Sequence, residues 1–151
     1  MKTILFVCLG NICRSPLAEG IARHYIEENK LDMGVDSCGT GSWHIGEPPC
    51  ENSIKVAKMH GIDISMLRAR QITPKDFAAF DILVALDESN IASLLQMGAP
   101  KEKVVKLGAF GWENKDVPDP YFFDGFDGFE YVYEMIETCV KNLLKDIMSV
   151  K

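Results

Sequence analysis

Long hydrophobic runs are missing from this chain. The apolar stretch nearest the start, Ile4 to Leu9, is too short for a signal-peptide core or a membrane span. There is no C-x2-C pair, which argues against a structural zinc site. Neither the G-K-[ST] of a nucleotide P-loop nor the G-x-G-x-x-G of a dinucleotide site occurs. Excess positive charge is absent too. With a net charge of −6 the chain is a poor partner for nucleic acid or an anionic membrane, since each requires a basic face. A local pocket can still be positive on an acidic protein, so an anionic substrate remains open. Internal repeats, low-complexity tracts and long linkers are also lacking.

What is there suits one globular unit. A length of 151 residues supports one well-buried core and is short for two domains. The expectation is a single domain over residues 1–151, with 47% hydrophobic and 25% charged residues balancing core against surface. The five cysteines, Cys8, Cys13, Cys38, Cys50 and Cys139, are an odd number without a secretion signal. That predicts free thiols and a cytoplasmic location. Cys38, Cys50 and Cys139 show no pairing pattern and are read as structural.

Strand and helix patterns alternate along the chain. Thr3 to Leu9 is apolar, β-branched and aromatic, as a buried parallel strand would be. Gly10 and Asn11 break it, and Ser15-Pro16 reads as N-cap and first helical position. Val35 to Cys38, Ile82 to Leu86 and Val104 to Leu107 are the other strands. Helices are expected from Asn52 to His60, from the capping box Thr73-Pro74-Lys75-Asp76, and from Asp87 to about Met97. A last helix opens at Asp127, with Phe129, Val132, Tyr133, Ile136, Val140, Leu143, Leu144 and Ile147 on one stripe. The predicted fold is an α/β sandwich with a central, mostly four-stranded parallel sheet and helices on both faces. Such folds bind ligands at the carboxyl ends of their strands, which directs attention to the loop after the first strand.

That loop is Cys8-Leu9-Gly10-Asn11-Ile12-Cys13-Arg14-Ser15, a C-x5-R-S segment between a buried strand and a helix N-terminus. Wrapped there, the backbone N–H groups of residues 9 to 15 can form a nest for a tetrahedral dianion, reinforced by the helix dipole. Arg14 can grip two phosphate oxygens with its planar fork, as lysine could not. The same positive field favours a thiolate on Cys8, and the Ser15 hydroxyl can donate to its sulfur. Sulfur and phosphorus would then meet as nucleophilic attack requires.

The segment Val7-Cys8-Leu9-Gly10-Asn11-Ile12-Cys13-Arg14-Ser15-Pro16 resembles the signature loop of the low-molecular-weight protein tyrosine phosphatases. Val35-Asp36-Ser37, His60-Gly61-Ile62, Ala69 to Thr73 and Asp87-Glu88-Ser89-Asn90 resemble further segments of that family in the same order. Asp119-Pro120-Tyr121 resembles its general-acid loop. The resemblance implies a metal-independent phosphatase without a cofactor, acting on phosphotyrosine proteins and inhibited by phosphate and other oxyanions. It implies Cys8 as nucleophile, Arg14 as phosphate ligand, Ser15 as support for the thiolate and Asp119 as general acid. A carboxylic acid is needed because an unprotonated oxyanion leaves phosphorus slowly. Of 22 acidic residues, Asp119 also stands out because Pro118 and Pro120 restrict its backbone.

The resemblance further implies that Asn11, Ser15, Ser37 and His60 form a polar network bracing the loop. For His60 the alternative is a residue at a helix end favoured by the dipole. Ile12, Trp43 and Tyr121 are the expected substrate walls, and Ile12 resembles the tyrosine-directed members, since those acting on phosphoarginine carry threonine there. Phe122 stands where many members have a second, regulated tyrosine. Cys13 is read as a resolving thiol that pairs with Cys8 after oxidation, or else as a packing residue. Competing functions are an arsenate reductase of the same fold, a phosphocysteine carrier and an inactive phosphopeptide-binding module. The first lacks its distal cysteine pair between Phe80 and Pro100, and an intact acid loop argues against the others.

Overall fold

The first strand lies in the middle of the sheet. In the computed structural model, which describes residues 1–120 and 125–149, β1 (Lys2–Cys8) pairs in parallel with β2 (Met33–Gly39) on one side. On its other side it pairs with β3 (Ile82–Ala85), which in turn pairs with β4 (Val104–Lys106). The order β2-β1-β3-β4 is fully parallel. The α/β expectation with four parallel strands is thereby met.

Side chains of β1 alternate between two cores, as the two-residue period of a strand requires. Ile4, Phe6 and Cys8 enter a core built with α1 (Arg14–Glu28), α2 (Glu51–Met59) and α5 (Asp127–Ser149). Leu5 and Val7 enter a smaller core with Phe77 of α3 (Pro74–Ala79) and Leu94 of α4 (Glu88–Gln96). Helices therefore cover both faces, which is why the strand reads as a continuous apolar run. Short 3-10 turns at Lys101–Lys103 and Leu107–Ala109 flank β4.

All eight residues of the predicted α5 stripe are buried. At about 1.5–3 kcal/mol for each large apolar side chain, this docking outweighs helix propensity in holding the element. α4 begins as predicted: Asp87 accepts from the Asn90 N–H at 2.8 Å, and the Asp87 N–H donates to Asn90 at 3.2 Å.

The start of α1 differs from the expectation. Cys13 is its N-cap and Arg14 its first residue, not Ser15 and Pro16. Pro16 remains tolerable because the first-turn N–H groups have no intrahelical partner. The Ser15 hydroxyl is thereby free for the site rather than used as a cap.

Candidate active site

The loop between β1 and α1 is pinned on both flanks. Thr40 N–H donates to the Cys8 carbonyl at 2.9 Å, Gly41 N–H to that of Leu9 at 2.9 Å, and Leu86 N–H to that of Val7 at 3.1 Å. Gly39 is needed here: a Cβ at that position would stand 2.7 Å from the Leu9 carbonyl oxygen and 3.2 Å from the Asn11 nitrogen. Asn11 sits at φ +58°, a left-handed backbone that asparagine tolerates better than most residues.

A chain of hydrogen bonds holds Asn11 there. Its carboxamide oxygen accepts from the Arg70 N–H at 3.0 Å. Its amide nitrogen donates to Ser15 Oγ at 2.8 Å and to Ser37 Oγ at 3.0 Å. Ser37 in turn donates to Glu19 Oε1 at 2.6 Å. Ser15 Oγ, which accepts from Asn11, lies 2.9 Å from Cys8 Sγ, and toward a Cys8 thiolate, which can only accept, the Ser15 hydroxyl is the donor. The Asn11 N–H adds a second donor to that sulfur at 3.3 Å. Cys8 is 2% exposed and Ser15 fully buried, so these donors act with little competition from water.

This network corrects one expectation. Asn11, Ser15 and Ser37 belong to it, but His60 does not: it is exposed at the end of α2 and stacks on Tyr133 with ring centroids 4.0 Å apart. Glu19 occupies the terminal position instead. Burial pushes its carboxyl above the ordinary value, against the Ser37 hydrogen bond and the neighbouring Arg23, whose Nη2 lies 2.7 Å away. Arg70 was also not singled out, although its backbone braces the loop. Its guanidinium holds both oxygens of Asp76 at 3.1 Å and donates to Asp36 at 3.1 Å. Burial opposes the charged form of Asp76, but hydrogen bonds from Arg70 and Thr73 outweigh it and keep this carboxyl below the usual range.

Arg14 is aimed by two contacts from other elements. Its Nη1 donates to Asp87 Oδ2 at 2.9 Å and to the Val117 carbonyl at 2.9 Å. Asp87 thus caps α4 and orients the arginine at once, a double role that its position in a capping box does not reveal. Val117 is held by its own N–H to the Leu86 carbonyl at 2.8 Å, which sets the path of the chain into Asp119.

Cys8, Leu9, Gly10, Ile12, Cys13, Arg14, Trp43, His44 and Asp119 line one open cavity of about 280 Å³. Trp43 is 70% exposed, so it forms a wall and is not an anchor packed on the sheet. His44 was missed; it leans over Gly10 and its Nδ1 lies 3.0 Å from Glu47. Tyr121, Phe122 and Phe123 lie outside the described residues.

The reading of the cysteines also requires correction. Cys13 is not a free thiol beside Cys8, and Cys50 is not without a partner: the two form a disulfide with Cα atoms 5.2 Å apart. The Cys50 N–H donates to the Ile12 carbonyl at 2.7 Å and Ser53 Oγ to the Cys13 carbonyl at 3.1 Å. These bonds dock the start of α2 against the loop and bring Cys50 beside Cys13. Cys8, Cys38 and Cys139 are free and buried.

Comparison with known proteins gives the same picture across the whole length. Residues 3–151 match the family described as low molecular weight phosphotyrosine protein phosphatase. The low molecular weight protein-tyrosine-phosphatase YfkJ of Bacillus subtilis is 39% identical, covering 100% of this chain and 99% of that protein. The crystal structure of YfkJ superposes with a TM-score of 0.92 at 38% identity over 100% of this chain and 97% of that one. The low molecular weight protein-tyrosine-phosphatase PtpA of Staphylococcus aureus is 39% identical over 99% of this chain and 96% of its own. A drosophila arginine phosphatase is similar as well, with a TM-score of 0.90 and 35% identity, covering 100% of both chains. The chain belongs to the low molecular weight phosphotyrosine protein phosphatase family.

Proposed function

We propose that this protein tyrosine phosphatase hydrolyses phosphotyrosine in proteins, and small aryl phosphates, through a phosphocysteine intermediate on Cys8. The observation that carries the reading is the pair of donors on Cys8 Sγ, Ser15 Oγ and the Asn11 N–H, in a cavity that Arg14 and Asp119 also line. The thiolate attacks phosphorus, the P–O bond breaks, and Asp119 gives its proton to the departing oxygen. Water then attacks the phosphocysteine, with the Asp119 carboxylate taking its proton, and phosphate leaves with the thiolate regenerated. Arg14 and the loop N–H groups hold the equatorial oxygens throughout. Inorganic phosphate and similar tetrahedral oxyanions compete for the same nest. Ile12 and Trp43 offer apolar contact to an aryl leaving group, which favours phosphotyrosine over phosphoarginine. The site needs no cofactor and the acidic chain takes neither nucleic acid nor a membrane as partner. Among the described residues no helix is long and apolar enough to cross a membrane, and the proposed location is the cytoplasm.

Asp119→Ala tests the assignment of the acid. Hydrolysis of a phosphotyrosine peptide is expected to slow by roughly 10²–10⁴-fold, the usual range for losing a positioned acid. The loss should be much smaller for 4-nitrophenyl phosphate, whose oxygen leaves readily without a proton. Equal losses on both substrates would make Asp119 a positioning residue. Activity is also expected to persist undiminished in excess chelator, because the nest and Arg14 supply the positive field a cation would otherwise provide. Chelator-sensitive activity restored by zinc or magnesium would overturn the reading.

A further inference from the structure

Three cysteines converge on the phosphate loop, and two of them are already joined. Cys8 and Cys13 line the same cavity, and Cys13 is bonded to Cys50 at the N-cap of α2. Cys13 and Cys50 are half-buried, so a soluble thiol can reach them, whereas Cys38 and Cys139 have no exposed surface. Burial pushes both of those thiols up, that of Cys139 to about 11, which keeps them protonated and inert. Disulfides in chains of cytoplasmic character are usually transient or redox-sensing. With the Cys13–Cys50 bond in place, Cys8 keeps its two hydrogen-bond donors and the loop keeps its form. The oxidised pair therefore coexists with an intact nucleophile.

We infer that Cys50 is a second resolving thiol, and that Cys13 passes oxidation from Cys8 to the Cys13–Cys50 bond so that the catalytic thiolate is restored within the chain. The inference rests on the proposed reactivity of Cys8. Hydrogen peroxide oxidises the Cys8 thiolate by two electrons: its O–O bond breaks, a sulfenic acid forms and hydroxide leaves. The Cys13 thiol condenses with the sulfenic acid, forming the Cys8–Cys13 disulfide and releasing water. The Cys50 thiolate then attacks Cys13 Sγ. The Cys8–Cys13 bond breaks and its electron pair leaves on Cys8, where the Ser15 hydroxyl and Asn11 N–H receive the charge. The end product is the arrangement observed, and an external dithiol returns Cys13 and Cys50 to thiols. Cys50 differs from Cys13 in this role because it does not line the phosphate cavity, so replacing its side chain leaves phosphate hydrolysis intact.

The test is a titration of fully reduced protein with hydrogen peroxide in the absence of reductant. Wild type is expected to retain its activity through the first equivalent per chain, with peptide mapping showing Cys13–Cys50, and to lose it during the second. Cys50→Ser, which keeps a good capping residue at the start of α2, should equal wild type before oxidation. It should lose activity with the first equivalent, yield Cys8–Cys13, and recover on adding dithiothreitol. In Cys8→Ser, formation of Cys13–Cys50 should be slower by at least about tenfold, because thiolates are what peroxide attacks. If wild type and Cys50→Ser lose activity in step, the relay is wrong. If Cys13–Cys50 forms equally fast without Cys8, the pair is an independent structural disulfide. Failure of the proposed mechanism itself would be seen separately, as phosphatase activity surviving in Cys8→Ser before any peroxide is added.

Discussion

Cys8→Ser is expected to lower turnover of phosphotyrosine and aryl phosphates by roughly 10⁴–10⁶-fold while leaving the fold and phosphate binding in place. The substitution exchanges sulfur for oxygen at a buried site, so packing against Phe6 and Leu17 in the same core hardly changes. The Asn11 N–H and the Ser15 hydroxyl keep a hydrogen-bond partner. What disappears is the nucleophile, since a serine hydroxyl with no base beside it stays protonated. Phosphate should bind no more weakly than to wild type, because a thiolate repels an incoming dianion and a neutral hydroxyl does not. Steady-state assay and calorimetric titration with inorganic phosphate separate the two effects. Retention of more than about a hundredth of wild-type activity would mean that another group attacks phosphorus.

Arg14→Ala should cost roughly 10³–10⁵-fold, the range for removing an arginine that carries transition-state charge in phosphoryl transfer. Arg14→Lys is the sharper variant. Nη1 of Arg14 is committed to Asp87 and Val117, so a two-pronged grip on phosphate falls to the remaining guanidinium nitrogens. A lysine has one nitrogen and cannot satisfy both sets of partners. It is expected to fall within about tenfold of alanine in kcat, although it preserves the charge. A lysine variant close to wild type would show that charge alone matters and that the fork is dispensable. α4 should survive both substitutions, because Asp87 still accepts from the Asn90 N–H.

Much of this site was legible because its parts are contiguous. The strand, the loop and the start of α1 occupy residues 2 to 15, so an apolar run, a turn and a C-x5-R-S spacing announce it together. The α5 stripe was equally plain, being a repeat of one period over 23 residues. What escaped notice depends on long-range docking. Glu19 sits in a helix where an isolated glutamate reads as solvated, and only the approach of Ser37 from β2 gives it a buried partner. The family resemblance implied His60 in the network, yet its ring at the end of α2 stacks on Tyr133 of α5. Cys13 and Cys50 are 37 positions apart with no spacing rule between them. Their meeting goes with two hydrogen bonds, Cys50 to Ile12 and Ser53 to Cys13, which pattern reading cannot anticipate. His44 is hidden for a similar reason, since its approach to Gly10 is set by the whole turn after β2.

The place of β1 in the sheet bears on how the protein is made. The strand that carries the nucleophile precedes both of its neighbours in the chain, β2 and β3, residues 33–39 and 82–85. The contacts that aim Arg14 come later still, from Asp87 and Val117. A nascent chain therefore carries Cys8 on a largely apolar strand with one edge unpaired until β3 has been synthesised. Contacts between residues so far apart are slow to form, and an unpaired strand edge invites pairing with other chains meanwhile. Catalytic competence in this topology arrives late, when the segments that carry Asp87 and Val117 close over the first loop.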